Sequence, residues 1–512
     1  MERWKVGLAA LSAAFFLCVP LSAAPAVIDD GSQPFWTEQV AKGLKYPTAI
    51  AWLPNGDMLI PEREGGIRLI RKGILDPKPL SGVPASYQNA LNGPMDIALD
   101  PDFAASHFVY LLTSDGDHEA HGTAVWRLRW VPARHGFTDA TRIYRTRASI
   151  SGSGRTVGRI LFLADKTLLV GVTEDNYHRP LAQMLDSEIG KILRINRDGS
   201  VPRDNPFFND PKALPEIWTY GHRVTSGLFR MANGDVYEVE PGPRGGDEFN
   251  LLRAGGNFGW AKATWGFDYG GGVVAPRQFA PGVEDPILVW MPAGTPSGLT
   301  YYEGARYPRW RGSFFTGLLG GQALERIRIR GKTVLLRERL LTDFDERIRD
   351  VRVGPDGYIW LLTDRDDGRL LRLMPGRPSP AQRSRVAAKE KPVGPGIIAE
   401  AAPGDATRGR IAFEKTCSAC HSVGETSSSQ DQGPNLRTVY SRQAGVLKDF
   451  PYSPAMVQFP QSWDELSINI FLADPSAYVP GTNMSGIRVR DIQQRIDIVA
   501  YFRELRATAD KE

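Results

Sequence analysis

Two thiols and an imidazole fall within five residues at Cys417-Ser418-Ala419-Cys420-His421, the most chemically specific stretch of this 512-residue chain. The spacing is that of c-type haem attachment, in which both thiols become thioethers and the adjacent imidazole becomes an axial ligand of the iron. A thioredoxin-like redox pair and half of a zinc site share the two thiols. The first has no use for His421, and no second cysteine pair exists to complete a zinc cage. The third cysteine, Cys18, lies in an apolar N-terminal run, so the cysteines serve chemistry and not a disulfide framework.

The elements around this motif read as helical. Asp491 opens a run with Ile492, Ile496, Val499 and Phe502 on one face, the period of an amphipathic helix. We read residues 404–512 as a small, all-α domain, preceded over 376–403 by a Pro-rich linker that includes Pro378, Pro380, Pro392 and Pro395.

The domain resembles class I cytochrome c. The resemblance rests on Gly404-Asp405, Gly409, Phe413, Gly433-Pro434-Asn435-Leu436, Trp463, Tyr478-Val479-Pro480-Gly481-Thr482-Asn483-Met484 and Tyr501. It implies Met484 as the second axial ligand, with Met456 the rival methionine, and the Pro434 carbonyl as acceptor of the His421 ring N–H. It also implies close packing of Gly409 on Tyr501. An iron closed by His421 and Met484 transfers electrons and binds no substrate.

Between residues 48 and 375 a different pattern recurs: short alternating apolar runs separated by Asn-Gly, Asp-Gly or Asp-Lys turns. Copies include Ile50-Ala51-Trp52 with Asn55-Gly56, Ile160 to Leu163 with Asp165-Lys166, Gly227-Leu228-Phe229 with Asn233-Gly234, and Val351-Arg352-Val353 with Asp356-Gly357. Six such units at a spacing of about 50 residues predict a mainly β protein: a six-bladed β-propeller over 30–375 followed by the small all-α domain.

This β region resembles the soluble quinoprotein aldose sugar dehydrogenases, also called glucose/sorbosone dehydrogenases. The matching segments include Gly93-Pro94-Met95-Asp96, Gly158-Arg159, Gly190-Lys191-Ile192-Leu193-Arg194, Glu216-Ile217-Trp218-Thr219-Tyr220-Gly221-His222-Arg223, Gly242-Pro243-Arg244-Gly245-Gly246-Asp247-Glu248 and Arg347-Ile348-Arg349-Asp350-Val351. The resemblance implies a propeller that binds pyrroloquinoline quinone (PQQ) and Ca²⁺ on one rim. By it, the carbonyls of Gly242 and Pro243 bind Ca²⁺, Arg347 and Arg349 hold the quinone carboxylates, and Arg223 stands beside the reacting quinone.

Four positions depart from the family pattern. Arg155 replaces the catalytic histidine, Leu91 a glutamine, Val224 an asparagine and Gly320 a lysine. A guanidinium has no lone pair with which to take a proton. Glu174, Asp175 and His178, on the segment after the next strand, are the candidate replacement bases. The alternative is a non-enzymatic electron-transfer or interaction protein whose propeller has lost sugar oxidation. His222 matches the family in a structural role, and His107, His118, His121 and His135 show no ligand spacing.

The N-terminus has the three-part layout of a secretory signal over residues 1–26: Arg3 and Lys5, the apolar run Val6 to Leu21, then Ser22-Ala23-Ala24-Pro25-Ala26. The mature protein is therefore expected in the periplasm or secreted, with no membrane span after cleavage. Lys and Arg (62) exceed Asp and Glu (58) by only 4, too weak a field to argue for nucleic acid. The expected partners are a small sugar or polyol and an external redox acceptor; the expected cofactors are haem c, PQQ and Ca²⁺.

Overall fold

The computed structural model describes residues 33–378 and 402–511, apart from 153, 175–177, 270–271, 343, 426–431, 449, 460, 474, 480–481, 485–488 and 490. The signal segment 1–26, most of the linker and Asp175 lie outside the described residues.

Each recurring turn is built the same way. The side-chain oxygens of Asn55, Asp165, Asn233 and Asp356 accept the backbone N–H two residues on, at 3.0–3.1 Å. The residue between adopts positive φ at Gly56, Lys166, Gly234 and Gly357. This is the Asx-turn chemistry that reverses a chain between short strands. The strands form six four-stranded antiparallel sheets, with inner strands at Ala51–Trp52, Pro94–Leu99, Ile160–Phe162, Gly227–Arg230, Pro296–Tyr302 and Ile348–Val353. These are the six propeller blades, numbered here from 1 to 6 in that order.

The ring is closed by strand Phe35–Leu44, which forms the outer strand of the last blade and pairs with Gly368–Pro375. Apolar side chains fill the spaces between blades, as in the cluster of Phe35, Trp310, Phe315, Ile348 and Leu371. The centre is ionic. Arg159 lies 3.6 Å from Asp96 and 3.5 Å from Asp350, while Arg352 reaches the same carboxylates at 3.1 and 2.9 Å. Arg159 also donates to the Ser226 carbonyl at 2.8 Å. Opposed charges from blades 2, 3 and 6 meet in this buried network, where each group needs its partners to offset desolvation.

The C-terminal domain is helical. Its first helix, Ala406–Thr416, is capped by Asp405, and its last, Ile492–Ala509, by Asp491. The two helices cross at Gly409, where a Cβ would stand 1.9 Å from the Asp497 carbonyl and 2.9 Å from Tyr501 Cβ. Only glycine permits that approach. Arg408 fastens the crossing by donating to Asp497 at 2.8 Å. No helix among the described residues is long and apolar enough to cross a membrane.

Candidate functional site

In every blade, the approach to the inner strand and the turn after the second strand emerge on the same rim. Those segments carry Tyr46 and Arg63 in the first blade, Leu91 in the second, Arg155 in the third, Arg223 and Pro241–Arg244 in the fourth, Thr295, Leu319, Gly320 and Gln322 in the fifth, and Arg347, Arg349 and Asp364 in the sixth. All of them line one cavity of about 830 Å³. The opposite wall comes from the helical domain and includes Cys417, Cys420, His421, Pro434, Trp463, Met484 and Phe502. The two chemistries read separately from the sequence therefore share a single space.

On the helical side, His421 Nδ1 lies 2.8 Å from the Pro434 carbonyl. A carbonyl only accepts, so Nδ1 carries the proton and Nε2 keeps its lone pair for a metal. Gly433 gives the ring room: a Cβ there would sit 2.2 Å from His421 Cε1. Cys417 and Cys420 are not joined in a disulfide, and burial pushes Cys417 up to about 12. Met484 and Met456 both line the cavity. Met456 is packed into the domain core with Trp463 and Ile468, whereas Met484 is only partly buried against that core. Two thiols outside any disulfide, an imidazole of fixed tautomer and thioethers around an aromatic-lined space fit a covalently held haem.

On the propeller side, one carboxylate serves three guanidiniums. Asp364 lies 2.9 Å from Arg349, 3.2 Å from Arg347 and 3.4 Å from Arg63. Burial favours the neutral acid, but Arg349, Arg63 and Arg347 outweigh it and hold Asp364 well below the ordinary carboxylate range. Burial, only partly offset by Asp364, pulls Arg349 down to about 10. Three cations against one anion leave an excess of positive charge at the wall, which fits a ligand carrying carboxylates.

Across the ring, Arg223 donates to the carbonyls of Pro241 (2.9 Å) and Gly242 (3.1 Å) and to the Tyr269 hydroxyl (3.1 Å). Burial, then the neighbouring Arg223, lowers Arg155. The expected Ca²⁺ site is thus altered. The Gly242 carbonyl already accepts from a guanidinium, and the nearby carboxylate of Asp247 accepts from the N–H groups of Gly242, Gly294 and Thr295 at 2.6–2.7 Å. Two carbonyls beside two cations do not by themselves fit a divalent ion, because like charge opposes its entry.

The candidate bases part company. Glu174 is fully buried and close enough to Arg155 and Arg179 to support both cations, but it is not among the cavity-lining residues. His178 is exposed and, like Glu174, is not among the cavity-lining residues. His222 is buried 3.0 Å from Glu238 and 3.6 Å from Glu240. Burial would lower its imidazole, but the two carboxylates hold it up to about 10, in keeping with a structural ion pair. Leu91, Val224 and Gly320 all lie on the cavity wall.

Sequence reasoning did not single out Arg63, Tyr46 or Asp364. Arg63 lies 4.4 Å from the centre of the Tyr46 ring, whose hydroxyl is near Thr416 of the helical domain. Burial raises the Tyr46 phenol to about 12, so it stays neutral at the join. No local motif announces these residues; their common signal is position, at the blade approaches and turns that form the rim.

Known proteins match the two halves separately. The glucose/sorbosone dehydrogenase family profile matches residues 44–372, and the cytochrome c profile residues 406–506. Aldose sugar dehydrogenase YliI of Escherichia coli is 37% identical over 360 residues, covering 69% of this chain and 95% of that protein. The PQQ-bound aldose sugar dehydrogenase of Streptomyces coelicolor superposes with a TM-score of 0.53 at 27% identity, over 69% of this chain and all of that one (100%). Cytochrome c of Cannabis sativa is 32% identical over 105 residues, 20% of this chain and 94% of that protein. The rim, the fold beneath it and these matches lead to one conclusion: the chain belongs to the glucose/sorbosone dehydrogenase family and carries a cytochrome c domain at its C-terminal end.

Proposed function

We propose that this protein is a periplasmic sugar dehydrogenase that uses PQQ to oxidise an aldose, or a related polyol or aldehyde. Electrons pass to covalently bound haem c and then to an external acceptor. The observation that carries the reading is the shared cavity, which brings Arg223, Arg347 and Arg349 to the same space as Cys417, Cys420 and His421. When bound, PQQ supplies a two-electron acceptor and haem c a one-electron carrier. Arg347 and Arg349 hold carboxylates, while Arg223, fixed by two carbonyls and Tyr269, orients the quinone face. His421, held by Pro434, and Met484 would hold the haem iron and leave it no open position for substrate.

Arg155 stands, on this reading, where the family places its base, and it cannot take a proton. Of the base candidates, Glu174 and His178 are among the described residues; neither lines the cavity, and the buried Glu174 lies close to Arg155. That placement also favours the second reading, a propeller that no longer oxidises sugar. One experiment decides. Haem-loaded protein is reconstituted with PQQ and Ca²⁺, aldoses are added, and reduction of the haem α-band is followed. Reduction that requires both quinone and sugar supports the dehydrogenase; failure to bind quinone with an intact haem spectrum supports the scaffold.

A further inference from the structure

Arg155 is the odd cation of the rim. Arg347, Arg349 and Arg63 share Asp364, and Arg223 is tied to two carbonyls and a phenol. Arg155 has no ion pair or hydrogen bond among the described residues, and its buried Nη2 has no acceptor. It lines the cavity within the field of a second guanidinium, that of Arg223, which outweighs the support from the buried Glu174 carboxylate. A cation so placed is costly unless an anion joins it, and a guanidinium meets a carboxylate with two parallel hydrogen bonds.

Its place in the ring says whose anion that is. Arg155 approaches the inner strand of the third blade, whereas Arg347 and Arg349 begin the inner strand of the sixth. In a six-membered ring those blades face each other across the axis. A cofactor whose carboxylates are held at the sixth blade turns those carboxylates away from Arg155, which stands beside Arg223 on the other side of the same cavity.

We propose that Arg155 binds the carboxylate of the substrate, and that the substrate is an acidic sugar of the uronic or aldonic class. The inference rests on the dehydrogenase reading for what the cavity does, but the carboxylate site itself can be measured without turnover. Arg155 recognises the acid group and takes no part in proton transfer; the sugar hydroxyls face the remainder of the cavity.

The test is calorimetric titration of haem-loaded protein, with and without PQQ, using D-glucuronate and D-glucose as probes. Wild-type protein binds glucuronate at least about tenfold tighter than glucose, the size expected for a charge-assisted pair. Arg155→Gln abolishes that preference, and Arg155→Lys keeps part of it, with unchanged haem spectra and unchanged PQQ titrations. Equal affinity for the two sugars in wild-type protein overturns the proposal. So does an Arg155→Gln protein that loses PQQ affinity while keeping its preference for glucuronate, since the anion would then be the cofactor's. Failure of the dehydrogenase reading looks different: wild-type protein takes up no PQQ, yet the preference for glucuronate persists in the quinone-free titration.

Discussion

Lys415, one residue from the end of the first helix of the cytochrome domain, faces Glu64 of the first blade with 3.8 Å between ammonium and carboxylate. Both are partly exposed, at 48% and 33% of their side-chain areas, so the pair contributes little to stability, on the order of 0–1 kcal/mol. Its value is positional, because Thr416 and Cys417 follow at once and line the shared cavity. We expect Lys415→Glu to leave the thermal midpoint almost unchanged and to slow sugar-driven haem reduction several-fold, an effect that grows at low salt. Stopped-flow traces at two ionic strengths check this; a rate equal to wild type at both would show that the contact does not orient the domain.

The sixth ligand is decided by two substitutions. Met484→Ala should open the iron to added carbon monoxide and convert the haem spectrum to high spin, while Met456→Ala should leave the low-spin spectrum and cost core packing, about 2–5 kcal/mol for a buried methionine. The reverse pattern would transfer the role to Met456.

The His222 ion pair has a pH signature. Its folded value of about 10 exceeds the ordinary 6.5, so the folded state holds a proton that the unfolded chain has lost between those values. The stabilisation is therefore fully present below about pH 6.5 and is lost as pH rises through about 10. Melting temperature should fall over this window in wild-type protein and fall less steeply in His222→Gln. Parallel curves would mean that the pair is neutral.

Asp364 works in the opposite sense. Held below the ordinary carboxylate range, it contributes stability above that range, lost only as pH falls beneath it. Asp364→Asn leaves Arg63, Arg347 and Arg349 without their shared anion, at a cost of about 3–5 kcal/mol. Bound PQQ should restore part of that loss, because its carboxylates replace the missing one. Calorimetric melts with and without quinone measure the difference; equal shifts in wild type and variant would place the quinone elsewhere.

Much of this architecture can be read directly along the chain, and the reason is local. Asn55-Gly56, Asn233-Gly234 and Asp356-Gly357 each reverse the chain through bonds spanning two residues, so the blade repeat is visible in short windows. The haem motif is equally local. What was not legible depends on pairs far apart in sequence. The strand at Phe35 closes the ring by meeting Pro375, and Asp364 gathers Arg63 from about 300 residues earlier in the chain. Nearness along the chain likewise does not say which of Glu174 and His178 faces the rim: one is buried, the other exposed.

The central claim is that quinone site and haem occupy one cavity within a single chain, so electrons need no encounter between molecules. The most direct test mixes sugar with PQQ-reconstituted, haem-loaded protein in a stopped-flow cell and follows haem reduction over a range of protein concentrations. With quinone and haem in one cavity, the rate is first-order and independent of protein concentration. A rate that rises in proportion to protein concentration would mean that the haem collects electrons from another molecule's propeller, and would contradict that claim.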